Sequence, residues 1–266
     1  MVLRFSQCAF SSMFFELKMI IEMSHLDYSL FKKIESVIAI RDEGLAMERV
    51  LDNQLEELKK LILLMGGHVE KSLSVAITAL LEKDLAKFNL VHDIEKKINE
   101  AHIQVDNACM AMLAKQGPVA KDLRLILSII KFNTDLERMG DQAVNIAFTG
   151  KDYLGREPLL QINHITRMTE LAGQMVKDSL DSFVRGDLDL AKKILMMDDE
   201  VDELKNKVFH ELISHIKLNP LHVEACMDII LIARNLERLG DHATNIAEDV
   251  IFAVTGKDIR HGGKFA

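Results

Sequence analysis

Four acidic residues in two matched pairs carry the clearest chemistry of this 266-residue sequence. Glu137 and Asp141 stand four apart in Leu136-Glu137-Arg138-Met139-Gly140-Asp141-Gln142-Ala143-Val144-Asn145-Ile146-Ala147. Glu237 and Asp241 hold the same places in Leu236-Glu237-Arg238-Leu239-Gly240-Asp241-His242-Ala243-Thr244-Asn245-Ile246-Ala247, where nine of twelve residues are identical at an offset of 100. On an α-helix a spacing of four rotates each side chain only about 40° from the last, so Glu137, Asp141 and Asn145 share one face. Leu136, Met139, Ala143 and Ile146 fall on the opposite, core-facing side. Like charges four apart cost an isolated helix a few tenths of a kcal/mol. A sequence that carries this cost twice, at equivalent sites, has a use for the charge.

Turn arithmetic brings further acids level with these. Asp198 lies 21 residues before Asn219 and Asp241 lies 21 after Pro220; Asp202 and Glu237 sit 17 residues on either side. In an antiparallel hairpin, equal distance from the turn means equal height, so the four carboxylates meet. In the first copy Glu95 and Asn99 face Glu137 and Asp141 across the longer Gly117-Pro118 turn. Oxygen ligands at one height on adjacent helices suit a hard cation, Mg²⁺, Ca²⁺, Mn²⁺ or oxidised iron. The plainer reading is a solvated acidic face, or neutralisation of the carboxylates by Arg138 and Arg238. Ferritin-type sites need Glu-x-x-His motifs pointing into the core, and neither feature is present.

Gly140 and Gly240 recur inside these helices although glycine there costs roughly 1 kcal/mol relative to alanine. Close approach of a neighbouring helix or a ligand is the expected compensation, and Gly66-Gly67 admits the same reading or a kink. Glu211 and His215 read as surface residues, and His92, His102, His164, His210 and His222 as singletons. Met110, Met112, Met196, Met197 and Met227 read as core or interface filler. No GxGxxG, phosphate loop, nucleophile elbow or HExxH occurs. No catalytic constellation is expected.

The elements that must position the acids are helices. A weaker echo at an offset of 103 sets Asp84-Leu85 against Asp187-Leu188, and Glu95 to Asn99 against Asp198 to Asp202, so the chain is two copies of one unit. In the first copy helices are expected over 51–82, from an N-cap at Asp84 to 115, and, after Gly117 with Pro118 in the first turn, to 148, with 150–158 as linker. In the second they are expected over 163–185, 187–218 and 220–254, with turns at Gly186-Asp187 and Asn219-Pro220. Short connections make successive helices antiparallel neighbours. The fold class is all-α, two tandem homologous three-helix bundles, over residues 47–150 and 159–255, with an N-terminal extension (1–46) and a C-terminal tail (256–266). The extension is aromatic-rich and poorly periodic. A docking helix, a loose tail, or translation from a start upstream of Met47 would each explain it.

Composition agrees. Three prolines and no tryptophan favour long helices over a turn-rich β protein. A net charge of -8 and a pI near 5.7 argue against a nucleic-acid binder and favour cations or basic partner surfaces. No run of 18 apolar residues is free of charge, so no membrane-spanning helix is expected. Cys8, Cys109 and Cys226, odd in number and without CxxC spacing, imply neither a disulfide framework nor a thiolate zinc site, and suit a reducing cytoplasm.

The doubled motif, Asp135 to Ala147 and Asn235 to Ala247, resembles the PhoU family of phosphate-signalling proteins. Met65-Gly66 with Val69-Glu70, and Pro118-Val119-Ala120 with Asp122-Leu123-Arg124, support the likeness, which covers Leu51 to Val254. The resemblance implies a cytoplasmic, non-enzymatic homodimer that restrains phosphate uptake by the phosphate-specific ABC transporter. It also implies repression of the phosphate-starvation two-component response, through contacts with the transporter's ATPase subunit and a phosphate-sensing histidine kinase. It implies metal ions (iron, or manganese, magnesium, calcium or zinc) and no organic cofactor, held by Glu95, Asn99, Glu137, Asp141, Asp198, Asp202, Glu237 and Asp241. Asn99 stands where the family usually has Asp, which weakens the first site, and His222-Val223-Glu224-Ala225 departs from the family's Ala-x-Asp-Leu-Arg. The alternative is a metal-binding carboxylate protein that stores iron or hydrolyses phosphate compounds.

Overall fold

The computed structural model describes residues 28–157, 159 and 163–260, with side chains from residue 50 onward except that of Asn163. Residues 1–27, within the expected extension, and 261–266, within the expected tail, lie outside the described residues. The chain divides into two compact units, Met1–Asn53 and Gln54–Ala266. Among the described residues there are six α-helices and no strand: α1 (Tyr28–Glu82), α2 (Leu85–Gln116), α3 (Ala120–Leu154), α4 (Asn163–Arg185), α5 (Leu188–Leu218) and α6 (Val223–Thr255). The two-copy, three-helix reading is the observed architecture.

Local chemistry sets most boundaries as the sequence requires. Asp84 caps α2 by accepting from the Ala86 amide, and Asp187 caps α5 by accepting from those of Asp189 and Leu190. The turns before these caps need a left-handed residue. The second copy places Gly186 there (φ 63°), whereas the first forces Lys83 into the same region (φ 58°).

Four boundaries differ from expectation. Helix α1 runs back to Tyr28 rather than starting at Leu51. Pro118 lies outside α3, which begins at Ala120. Pro220 opens a 3₁₀ turn, Pro220–His222, ahead of α6. Helix α3 continues through Gly150 to Leu154, because Gly150 seats the Phe88 ring, within 3.0 Å of where its Cβ would be, and Tyr153 is buried. Tertiary contact thus carries the helix past its local stop signal. The tail also continues the packing: Ile259 is buried, and Arg260 reaches Asp249.

The apolar face predicted for the repeated motif is the core. Leu136, Met139, Ala143 and Ile146, and their counterparts Leu236, Leu239, Ala243 and Ile246, are at most 1% exposed. By length and composition alone the stretch Val50–Glu82 is apolar enough to cross a membrane, although charges such as Glu70 and Lys71 interrupt it. Its apolar face is occupied, however, with Leu58, Ile62, Met65 and Val69 buried as in any bundle core. Gly66 admits Leu180 of α4 so closely that a Cβ there would lie 2.5 Å from Leu180 Cδ1, while Gly67 faces open space. Cys109 and Cys226 are free and buried, and burial pushes the Cys109 thiol up to about 12.

The repeats share one interface. Helices α3 and α6 run antiparallel, and a polar ladder crosses between them. The Asp135 carboxylate meets His242 Nδ1 at 2.8 Å and accepts from Asn245 Nδ2 at 3.3 Å. Further along, Lys131 Nζ donates to Asp249 at 2.9 Å. Phe132 of the first repeat meets Phe183 of the second edge-on, with centroids 4.7 Å apart.

Candidate metal centre

In the second repeat Asp198 and Asp202 project from α5, Glu237 and Asp241 from α6. Lys205 Nζ spans the helices, donating to Asp202 Oδ1 and Glu237 Oε1, each at 2.7 Å. These two carboxylates are therefore level, as the turn arithmetic requires. One helical turn away, Asp198 lies over Gly240: a Cβ on Gly240 would sit 3.3 Å from Asp198 Oδ1. The glycine thus serves close approach by a carboxylate as well as by Met175.

The electrostatics record the crowding. Burial, and then the charges of Asp241, Asp202, Asp199 and Glu237, raise the Asp198 carboxyl to about 6. Asp241 is raised by burial first and then by Glu237 and Asp202, with His242 and Lys205 pulling it back. The repulsion is what a bound cation would relieve.

The first repeat repeats the layout with less charge. Burial and then Glu95 raise Asp141, so α2 and α3 do bring these two residues together. Glu95 also meets His92 Nδ1 at 2.8 Å. Glu137 is half-buried and Asn99 exposed, and no contact joins them. Gly140 receives an apolar neighbour, Ile98, rather than a carboxylate.

Arg138 and Arg238 are exposed and form no ion pair among the described residues, so the neutralising group is Lys205. Sequence reasoning missed it, although its spacing of three from Asp202 on α5 was visible. His222 is not a singleton: its Nδ1 meets Nε2 of His215 at 2.8 Å. Glu211 pairs with His164.

As they stand, no three His, Cys, Asp or Glu residues among those described are close enough to hold a metal ion together. The donor set of the second repeat still fits a hard cation in kind, being all carboxylate oxygen, half-desolvated and mutually repelling. Lys205 already supplies one positive charge, so Asp198 and Asp241 are the oxygens left to attract another.

Replacing Asp198 with asparagine should therefore stabilise the protein at pH 7. The native carboxyl is raised above its ordinary 3.8 to about 6, so the native state binds more protons than the unfolded state between those values. Wild-type stability accordingly falls as pH rises through that window. After allowance for solvent screening of a half-exposed group, Asp198→Asn should gain about 1 kcal/mol at pH 7 and nothing at pH 3. Urea unfolding of both proteins at the two pH values checks this; equal midpoints at pH 7 would show that the cluster is not repulsive.

The PhoU domain matches residues 62–149 and again 165–250, once per repeat. The phosphate-specific transport system accessory protein PhoU homolog of Pseudomonas putida is 38% identical over 214 residues, covering 79% of this chain and 82% of that protein. The crystal structure of PhoU from Pseudomonas aeruginosa superposes with a TM-score of 0.76 at 35% identity, covering 77% of this chain and 99% of that one. That of the phosphate transport system regulatory protein PhoU from Streptococcus pneumoniae gives 0.73 at 29% identity, covering 78% and 98%.

Proposed function

The chain belongs to the PhoU family, and from that premise we propose that it is an accessory regulator of phosphate-specific transport. It acts from the cytoplasm as a non-enzymatic homodimer. When phosphate is ample it restrains uptake by the ABC transporter and represses the phosphate-starvation response, through the transporter's ATPase subunit and the sensor kinase. The observation that carries this reading is the doubled acidic wall: each repeat presents its Glu-x-x-x-Asp pair on the outer face of its third helix, away from a closed apolar core. Such a wall serves contact with a cation or a basic partner surface.

The wall also takes metal. Asp198, Asp202, Glu237 and Asp241 form the stronger site, and Glu95, Asn99, Glu137 and Asp141 the weaker, because Asn99 contributes no charge. A cation held there would supply charge neutralisation to Asp198 and Asp241, beside the positive charge that Lys205 already gives Asp202 and Glu237.

The test is the double variant Glu237→Gln/Asp241→Asn in a strain carrying a phosphate-starvation reporter. The expected results are at least a roughly tenfold loss of Mn²⁺ or Fe³⁺ affinity and reporter expression in phosphate-rich medium. Unchanged metal content together with unchanged repression would remove both wall and metal from the account. Catalytic Fe²⁺ oxidation or phosphoester cleavage by the purified protein would instead favour the storage or hydrolase reading.

A further inference from the structure

The turn between α5 and α6 has no apolar anchor. Lys217, Leu218, Asn219, Pro220 and Leu221 are all exposed, Leu221 to 95%. Main-chain bonds shape it. The Asn219 amide donates to the His215 carbonyl at 2.8 Å, the His222 amide to the Asn219 carbonyl at 3.0 Å, and the Val223 amide to the Pro220 carbonyl. Across it, the side chains of His215 and His222 meet, Nε2 to Nδ1 at 2.8 Å. The rings are parallel to within 14° and their centroids are 5.1 Å apart. The bond and two ring radii fill that length end to end, so the two nitrogens point at each other.

The first repeat holds the equivalent turn without histidine. At the repeat offsets Met112 stands for His215 and Asp122 for His222, and Met112 is buried whereas His215 is half-buried. The departure at His222-Val223-Glu224-Ala225 thus exchanges an apolar anchor for a titratable one.

A contact between two imidazole nitrogens holds one proton, because one nitrogen donates and the other must accept. Glu157 sets the direction. Its Oε2 lies 3.7 Å from His222 Nε2, so that nitrogen carries its proton toward the carboxylate. Nδ1 of His222 is then the acceptor and Nε2 of His215 the donor. A first added proton goes to His215 Nδ1, outside the bond, and keeps it. A second must go to His222 Nδ1, where it sets N–H against N–H and charge against charge. The other ionisable groups at this end are paired. Glu211, one turn before His215, meets His164 of α4 at 3.0 Å, and Arg156 holds Glu224 and Asp228 of α6. Protonation of His164 tightens its contact with Glu211 and so acts in the opposite sense.

We propose that His215 and His222 form an acid-operated clasp over the α5–α6 turn. It is closed while a single proton lies between the rings and opens when both imidazoles are charged, the proton coming from solvent. Once open, the turn keeps only its main-chain bonds, and the tip that carries Leu218 and Leu221 unfastens. The inference goes beyond phosphate regulation, since neither the acidic wall nor a partner enters it.

Hydrogen exchange of the full chain, read by mass spectrometry on the segment 218–223 and corrected for intrinsic exchange, tests it. Histidine changes charge between pH 8 and pH 5, so protection of this segment in wild type should fall by roughly tenfold from pH 7.5 to pH 5. His222→Asn places an acceptor oxygen where Nδ1 was and does not titrate; its protection should stay within about twofold over the same range. His215→Ala, which removes the donor, should be poorly protected at both pH values. The equivalent turn of the first repeat, 113–122, should keep its protection throughout. Equal wild-type protection at the two pH values overturns the proposal, as does a wild-type-like loss in His222→Asn, which would place the responding proton on Glu157 or His164. Wild-type protection of His215→Ala at pH 7.5, or a parallel loss in segment 113–122, overturns it as well.

Discussion

Asp135→Ala is expected to lower stability by about 1–3 kcal/mol, the cost of leaving a buried hydrogen-bonding group without its partner. The aspartate lies on α3 of the first repeat and is 8% exposed, with His242 and Asn245 of α6 both directed at its Oδ1. Alanine leaves the buried His242 ring without that acceptor, whereas the exposed Asn245 amide turns to water. For a folded unit of this size the melting temperature should drop by roughly 2–12 °C. His242→Gln, which retains a donor, should cost less than half as much. If thermal unfolding shows Asp135→Ala within 1 °C of wild type, the polar ladder does not hold the repeats together.

Phe132→Ala should cost more, about 3–5 kcal/mol, by a different route. Phe132 is fully buried and meets Phe183 of the other repeat edge-on at 4.7 Å. Deleting the ring forfeits its transfer energy and leaves a cavity that α3 and α4, each held by further contacts, do not collapse to fill. Phe183→Ala should lose less in the Phe132→Ala background than in wild type, and that coupling in a double-mutant cycle tests whether the repeats share a core. Additive losses would mean that the ring contact contributes nothing of its own. Together the two positions predict one cooperative unfolding transition for the repeats rather than two.

The proposed cation site lies on helices whose backs form the shared core, so relief of the repulsion between Asp198 and Asp241 would act on α6. Helix α6 in turn carries His242 and Asn245 of the inter-repeat ladder. A local charge change thus has a continuous packed route from one repeat to the other. Asp198→Asn, with its repulsion permanently relieved, tests whether that route matters for repression.

The duplicated Leu-Glu-Arg motif, the Asp84 and Asp187 caps and the Gly186 turn determined the helix count, the antiparallel order and the inward face without reference to tertiary structure. They did so because caps and 3.6-residue periodicity are properties of a single helix. Distance from a turn likewise settled that Asp202 comes level with Glu237, since a straight hairpin leaves height no freedom. Other features required the assembled protein. Gly150 is a stop signal on its own and becomes mid-helix because Phe88 packs on it. Lys205 takes its second carboxylate from a different helix, 32 residues along the chain. Asp135 finds His242 107 residues away, and no local rule pairs residues across two repeats.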